Sequence, residues 1–216
     1  MISLSQARLY GILDLGYTTP DQLEIMTESM LAGGIDIIQL RAKNRDPEQI
    51  AAYARRVLPL CRQAGIPFII NDYPQIVLQV EADGVHLGQS DSSADEARKL
   101  LGPDRTIGLS THSLLQARAA AREPVDYIGF GPLFATGTKP DYYPIGLDDI
   151  GAVHRQVDLP IFCIGGIKLA NLPQVLAAGA RRAVIVSGIL QAEDPVAYVR
   201  DARELLRAAQ TLDTLA

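Results

Sequence analysis

Short apolar runs alternate with amphipathic stretches along the whole chain, and this alternation limits the fold more than any other feature of the sequence. The runs are rich in β-branched residues and mostly lack a two-residue period, which is typical of parallel strands buried on both faces. They span residues 9–13, 35–40, 67–70, 85–87, 107–109, 127–130, 161–164 and 183–186. The intervening stretches of helical length span residues 21–31, 47–64, 93–101, 113–122, 147–157, 169–178 and 195–209.

About eight such strand–helix units predict an α/β protein, a single-domain (β/α)8 TIM barrel over residues 1–216. No Pro/Gly/Ser-rich linker divides the chain, and residues 210–216 are expected to fray. An open doubly wound sheet is the alternative. It ranks second because no Gly-x-Gly-x-x-Gly follows the first strand, where a dinucleotide-binding sheet would carry one.

Composition excludes several classes of partner. The net charge is −5 and the basic residues are dispersed, which argues against nucleic acid. No apolar run approaches membrane-spanning length and no signal-peptide pattern opens the chain, so a cytoplasmic protein without a membrane partner is expected. Cys61 and Cys163 fall in predicted buried elements and are interpreted as reduced packing residues. Small molecules remain as the expected partners, and the oligomeric state is open.

Two aspartates follow two separate apolar runs. Asp72 comes after the run at 67–70, and Asp91 comes soon after the run at 85–87. The C-terminal ends of parallel strands open into the crevice where α/β proteins carry out chemistry, so two carboxylates there suggest a hard cation such as Mg²⁺. Asn71-Asp72 can also be simple turn chemistry, because both side chains bond to local backbone. Further polar or glycine-rich segments after the other runs favour the functional interpretation: 39–43, Ser110, 136–139, 165–166 and 187–188.

Several of these segments resemble the thiamine-phosphate synthase family. The resemblance covers nearly the whole chain in order, and it rests on residues 39–43 (QLRAK), 71–72 (ND), 88–91 (GQSD), 107–112 (IGLSTH), 129–140 (GFGPLFATGTKP) and 164–167 (IGGI). The family fold is the (β/α)8 barrel. The resemblance implies a transferase that couples 4-amino-2-methyl-5-hydroxymethylpyrimidine diphosphate to 4-methyl-5-(2-phosphoethyl)thiazole, releasing thiamine phosphate and pyrophosphate.

The same resemblance implies site residues and a cofactor. Mg²⁺ is the implied cofactor, held by Asp72 and Asp91. The implied catalytic residues are Arg41, Lys43, Lys139 and Ser110, which form a preorganised clamp for the developing anion. The implied substrate-binding residues are Gln39, Leu40, Arg41, Ala42, Lys43, Asn71, Ser110, Thr136, Gly137, Thr138, Lys139, Gly166, Val186 and Ser187. Among these, Gln39 is expected at the pyrimidine edge, and Thr136 and Thr138 at the thiazole phosphate.

Three positions depart from the family pattern. Ala42 replaces a frequent acidic residue, Gly137 replaces a frequent proline, and the first strand lacks the usual Thr-Asp ending at Leu13-Asp14-Leu15. Two other functions stay open. His112 suits the acid/base role of related thiazole tautomerases, since imidazole titrates near neutrality. A non-catalytic barrel that binds thiamine or thiazole phosphates is the other, because a fold alone does not define function. His86 is expected to be packed or hydrogen-bonded, and His154 to lie on the surface.

Overall fold

Eight parallel strands close into a barrel in sequence order, with β8 paired to β1. This closed topology confirms the predicted (β/α)8 barrel. The computed structural model describes residues 3–137 and 143–215, without the side chains of 211–215. The strands are β1 (Leu9–Asp14), β2 (Ile37–Arg41), β3 (Phe68–Asn71), β4 (Gly84–Leu87), β5 (Thr106–Thr111), β6 (Tyr127–Phe130), β7 (Ile161–Cys163) and β8 (Ala183–Ile185).

Helices surround the barrel, and a short 3-10 turn (Pro20–Gln22) precedes the first of them. In the described part of the chain they are α1 (Leu23–Gly33), α2 (Pro47–Ala64), α3 (Pro74–Val80), α4 (Ala94–Leu101), α5 (Leu114–Ala120), α6 (Ile150–Gln156), α7 (Leu172–Ala177), α8 (Ser187–Leu190) and α9 (Pro195–Leu215). Helical backbone in α9 continues to Leu215, through the stretch that the sequence predicts to fray. No helix in the described ranges is both long and apolar enough to cross a membrane.

Helix boundaries follow capping chemistry where the sequence supplies it. Asp46 accepts the backbone N–H of Gln49 at 2.8 Å, Pro47 occupies the first turn, and Gly65 ends α2 in the left-handed region at φ 68°. Asp46 satisfies a backbone N–H that has no partner within the helix, and Pro47 has no N–H to satisfy. Gly65 lets the chain turn so that its own N–H bonds to a carbonyl of the last turn. Ser93 caps α4 in the same way, with a donor–acceptor distance of 3.2 Å. Both helices accordingly begin and end where the sequence predicts.

Helix α3 was not predicted. It has seven residues and starts at Pro74, too short a segment to show clear helical periodicity. Ile76, Val77 and Val80 are buried in it. An isolated helix of this length would be unstable in water, so packing on the barrel stabilises it rather than local propensity.

Three aspartates link the N-terminal ends of the strands, here called the floor of the barrel. Each directly precedes an even-numbered strand and accepts backbone N–H groups at the start of the preceding odd-numbered strand. Arg8 and Leu9 donate to Asp36 at 2.7 and 2.9 Å, Phe68 donates to Asp83 at 2.8 Å, and Ile107 donates to Asp126 at 2.7 Å. These carboxylates pair donors that the sheet leaves unused, so they contribute to stability.

His154 is not a surface residue, contrary to expectation. It is half-buried in α6, and its Nε2 atom is buried without a hydrogen-bond partner among the described residues. Burial lowers the pKa of its imidazole to about 4, with Arg181 and Arg182 acting in the same direction. His154 is therefore neutral at physiological pH and belongs to the structure of the floor.

Aromatic side chains fill the barrel interior. Phe162 meets Tyr10 and Tyr127 edge-on, with ring centroids 5.5 Å apart in both pairs. All three side chains are at most 1% exposed. Such edge-to-face contacts add to the stabilisation from burial and hold the rings in place beneath the C-terminal end of the barrel, here called the mouth.

Candidate active site

A cavity opens at the mouth, with about 880 Å³ of empty space when the open entrance is counted. The cavity wall includes eight of the residues that the family resemblance implies: Gln39, Arg41, Asn71, Ser110, Thr136, Gly166, Val186 and Ser187. They come from six different strand ends or the loops that follow strands, as the barrel geometry requires.

The other predicted residues lie elsewhere. Leu40 and Ala42 are buried outside the cavity wall, because neighbouring residues on a strand point to opposite faces. A substrate could meet them only through their backbone. Lys43, Gly137, Asp72 and Asp91 also lie off this wall. Thr138 and Lys139 fall outside the described residues.

Asp72 and Asp91 lie close enough together to perturb each other. Burial raises the pKa of the Asp72 carboxyl, the neighbouring Asp91 raises it further, and Lys43 opposes both effects. The Lys43 ammonium pairs directly with the Asp72 carboxylate. Asp72 has a left-handed backbone, φ 68°, a conformation that aspartate tolerates better than most residues. Its N–H donates to the carbonyl of His86 at 2.9 Å, which ties this turn to β4.

The chemistry of this donor pair fits a divalent cation. Two adjacent carboxylates repel each other, and a cation between them relieves that repulsion. The described residues contain no group of three or more His, Cys, Asp or Glu side chains that could hold a metal. Mg²⁺ commonly uses one or two protein carboxylates and takes its other ligands from waters and substrate phosphates, so two carboxylates suffice.

Arg41 is held at the mouth by a buried ion pair that the sequence did not reveal. Its Nη1 atom lies 2.9 Å from Oδ2 of Asp14, and the two side chains are 13% and 1% exposed. Asp14 also accepts the N–H of Gly16 at 2.9 Å. The pair fixes the guanidinium plane beside the cavity, which preorganises a group suited to phosphate oxygens. The sequence contained one signal, an aspartate at the end of the first apolar run.

A chain of hydrogen bonds crosses the bottom of the cavity. Gln39 Nε2 lies 2.8 Å from the Tyr10 hydroxyl, which lies 3.0 Å from the Tyr127 hydroxyl. His86 Nδ1 lies 3.0 Å from that second hydroxyl, and His86 Nε2 lies 2.9 Å from Ser110 Oγ. All five residues line the cavity. Burial raises the pKa of both tyrosines, so they stay protonated. Sequence reasoning missed both tyrosines, because an aromatic residue inside an apolar run indicates core packing.

His112 also lines the cavity, after the end of β5. Its Nδ1 atom lies 2.5 Å from the carbonyl oxygen of Gly131, and its backbone N–H donates to Gln116 Oε1 at 2.7 Å. A carbonyl oxygen only accepts, so Nδ1 carries a hydrogen. This hydrogen bond fixes the orientation of the ring, and Nε2 is the ring nitrogen that the contact with Gly131 does not use.

The glycines after β7 are required by backbone and packing. Gly165 and Gly166 have φ 99° and 67°, in the region that favours glycine. A Cβ on Gly165 would lie 2.4 Å from Pro132, and one on Gly166 would lie 2.7 Å from Phe134. The loop after β6 thus closes against the loop after β7. Gly166 remains part of the cavity wall beside Ser187, the first residue of α8.

The fold and this mouth define a TIM-barrel enzyme with cationic, hydroxyl and glycine groups around one cavity and paired carboxylates next to it. Residues 9–189 match the family model described as thiamine monophosphate synthase. This chain belongs to that family.

Individual relatives agree with the family match over nearly the full length. The thiamine-phosphate synthase of Chloroflexus aurantiacus is 40% identical over 94% of each chain, and that of Pelotomaculum thermopropionicum is 43% identical over 94% of each chain. Among solved structures, the thiamine phosphate pyrophosphorylase of Pyrococcus furiosus has a TM-score of 0.85 at 29% identity, covering 94% of this chain and 96% of that one.

Proposed function

We propose that this protein is a thiamine-phosphate synthase that joins 4-amino-2-methyl-5-hydroxymethylpyrimidine diphosphate to 4-methyl-5-(2-phosphoethyl)thiazole. The observation that carries the proposal is the convergence of Gln39, Arg41, Asn71 and Ser110 on one cavity beside the Asp72–Asp91 pair, in a chain of the thiamine monophosphate synthase family. These are the groups that recognition of a pyrimidine diphosphate requires.

The difficult step is breaking the bond between the pyrimidine methylene carbon and the diphosphate oxygen. Negative charge grows on the departing diphosphate, while positive charge spreads into the aminopyrimidine ring. Arg41, oriented by Asp14, presents a planar cation to the phosphate oxygens, and Ser110 and Asn71 add neutral hydrogen bonds. Lys43 is 44% exposed, and lysine has a flexible four-carbon stem. Its ammonium can therefore leave Asp72 and bind a diphosphate oxygen instead.

Asp72 and Asp91 would hold a Mg²⁺ ion, which would supply charge neutralisation for the departing diphosphate. Two adjacent carboxylates are a donor set that suits this ion. The thiazole nitrogen then attacks the methylene carbon, and no protein nucleophile is needed for this step. Lys139, which lies outside the described residues, is assigned to the same anion by the family resemblance.

The second substrate occupies the opposite side of the cavity. Thr136, Gly166, Val186 and Ser187 line that side, and they come from the loops after β6, β7 and β8. TIM barrels frequently bind phosphate with the last two of these loops, using backbone N–H groups. Two separate anion sites bring the two substrates together, and this proximity removes much of the entropic barrier to their reaction.

A thiazole tautomerase remains the second candidate, because His112 lines the same cavity with its ring anchored. Such an enzyme would use Nε2 of His112 for proton transfer on a thiazole substrate. The Asp72–Asp91 pair would have no role in that reaction. A non-catalytic barrel would have no use for the paired carboxylates either.

The decisive experiment incubates purified protein with both substrates and Mg²⁺ and follows thiamine phosphate and pyrophosphate. Product that requires both substrates and disappears with EDTA supports the proposal. Isomerisation of a thiazole substrate without the pyrimidine would favour the tautomerase. Thermal stabilisation by the substrates without pyrophosphate release would favour the binding barrel. Asp95→Asn, on the exposed first turn of α4, is the matched control for damage at Asp72 or Asp91.

A further inference from the structure

The hydrogen-bonded chain from Gln39 to Ser110, here called the relay, joins two opposite parts of the cavity. Its ends are Gln39 and Ser110, and its interior members are Tyr10, Tyr127 and His86. Every link is between 2.8 and 3.0 Å. Tyr10 and Tyr127 are at most 1% exposed, so each hydroxyl hydrogen must find an acceptor inside the protein.

The direction of the relay follows from Gln39. Its Nε2 atom can only donate, so it donates to the oxygen of Tyr10. The Tyr10 hydrogen therefore cannot go to Gln39 Nε2. Among the described residues, its hydroxyl has one other hydrogen-bond contact, the hydroxyl of Tyr127. Tyr10 accordingly donates to Tyr127.

The remaining links follow in the same direction. Tyr127 accepts from Tyr10, so it donates its own hydrogen to Nδ1 of His86. An Nδ1 atom that accepts carries no hydrogen, so the neutral ring has its hydrogen on Nε2. That Nε2–H donates to Ser110 Oγ. The Ser110 hydroxyl then has its own hydrogen to donate into the cavity.

The surrounding backbone keeps the relay in register. A Cβ on Gly108 of β5 would lie 2.1 Å from the Tyr127 ring, so the strand admits that ring only because it has glycine there. A Cβ on Gly129 of β6 would lie 3.3 Å from Cε1 of His86. Glycines on two adjacent strands thus leave space for the rings of Tyr127 and His86, which form the middle link of the relay.

We propose that His86 is a positioning residue that acts through Ser110, and that the relay turns the Ser110 hydroxyl into a committed donor to the diphosphate of the substrate. The identity of this acceptor rests on the function proposed above, whereas the direction of the relay does not. A donor oriented before the reaction stabilises growing charge without reorganisation. Gln39, which lies on the pyrimidine side, would then determine that the Ser110 hydroxyl on the diphosphate side donates its hydrogen bond.

The direction can be tested without turnover. In protein labelled with ¹⁵N-histidine, long-range ¹⁵N–¹H spectra report which ring nitrogen carries hydrogen, and the His86→Gln variant identifies the His86 signals. We expect the Nε2–H form in the wild type. Gln39→Glu, at alkaline pH, replaces the donor by an acceptor and should reverse every link, which converts His86 to the Nδ1–H form. Tyr53→Phe, which removes a hydroxyl outside the relay, should change nothing. An Nδ1–H wild type, or an unchanged tautomer in Gln39→Glu, overturns the proposal.

Kinetics test the consequence for Ser110. His86→Leu cannot donate to Ser110, and it should lower kcat roughly a hundredfold, with little change in the KM for the pyrimidine diphosphate, as Ser110→Ala should. His86→Gln keeps an amide donor near the Nε2 position and should recover about tenfold of that loss. The double variant His86→Leu/Ser110→Ala should be no slower than either single variant. Equal losses in His86→Gln and His86→Leu, or additive losses in the double variant, would contradict a role through Ser110. A wild type without synthase turnover would refute the proposed function and leave the spectroscopic test in force.

Discussion

The floor and the mouth of the barrel both carry aspartates at strand termini, but in contrasting surroundings. At the floor, Asp36, Asp83 and Asp126 accept backbone N–H groups at 2.7 to 2.9 Å. At the mouth, burial raises the pKa of the Asp72 carboxyl, and the neighbouring Asp91 raises it further. Among the described residues, no second carboxylate faces the floor aspartates in this way. Asp72 and Asp91 face each other: Lys43 supplies the compensating charge at Asp72, and Asp91 accepts the backbone N–H of Gly88 at 2.6 Å.

This contrast separates stability from function more clearly than residue type does. A carboxylate that fixed donors satisfy and that has no second carboxylate beside it gains little from a cation, so its role ends with folding. A carboxylate next to another carboxylate is unfavourable in the folded protein until a cation arrives, which marks it as a candidate ligand. Single substitutions at the two ends should therefore affect different measurements.

Arg41→Met should have the largest effect. It should lower both stability and activity, although Arg41 lies at the mouth, because Arg41 also neutralises the buried Asp14. Removing one partner of a buried pair leaves an uncompensated charge, so stability to urea should fall by about 4 kcal/mol, together with activity. Arg41→Met/Asp14→Asn should recover most of the stability and none of the activity. A stable, inactive Arg41→Met single variant would contradict a structural role for the pair.

Asp72→Asn should lower kcat by roughly a hundredfold or more, since it removes one preorganised charge at the reacting diphosphate. Its melting temperature should not fall, because the pKa of Asp72 is raised and its ionised form is the unfavourable one in the folded state. Turnover at saturating Mg²⁺ and a thermal melt measure the two effects. Asp95→Asn is the control for turnover. Normal turnover by Asp72→Asn at low Mg²⁺ would remove Asp72 from the clamp.

Asp36→Ala tests the floor. It leaves the N–H groups of Arg8 and Leu9 without their carboxylate, and urea unfolding should show a loss of about 3 kcal/mol. Asp36→Asn keeps one oxygen acceptor and should lose less. The kcat/KM of the folded protein should stay at the wild-type value for both variants. Loss of activity without loss of stability would mean that the floor communicates with the site.

His154→Leu should have the smallest effect, and its effect should depend on pH. The imidazole has a pKa of about 4 in the folded protein and an ordinary value of 6.5, so between these values the unfolded chain binds the proton and the native state does not. The wild type therefore loses stability as pH falls from 6.5 toward 4. His154→Leu should lose about 2 kcal/mol less over this window, a value reduced for the partial exposure of His154. Parallel stability–pH curves for the two proteins would show that His154 is not the titrating group.

The sequence by itself determined the architecture. Eight apolar runs and their spacing predicted the closed barrel, and the helical stretches at 47–64 and 93–101 matched two observed helices closely, because hydrophobic period and capping are local properties of a chain. Eight of the site residues that the family resemblance implies also line the cavity, since every strand of a parallel barrel ends at the same face. The roles of these residues stay predictions.

Only the tertiary structure decided which of those residues meet, and with what partners. Asp14 becomes the counter-ion of Arg41 because β1 and β2 are paired in a register that places the two side by side. Tyr10 and Tyr127 are 117 positions apart, and they form one link of the relay because the barrel closes around both. The pKa of His154 is lowered because folding half-buries its side chain and brings Arg181 and Arg182, just before β8, near it. Hydrogen bonds and pKa values depend on neighbours in space, and residues far apart along the chain supply those neighbours only once the barrel has closed.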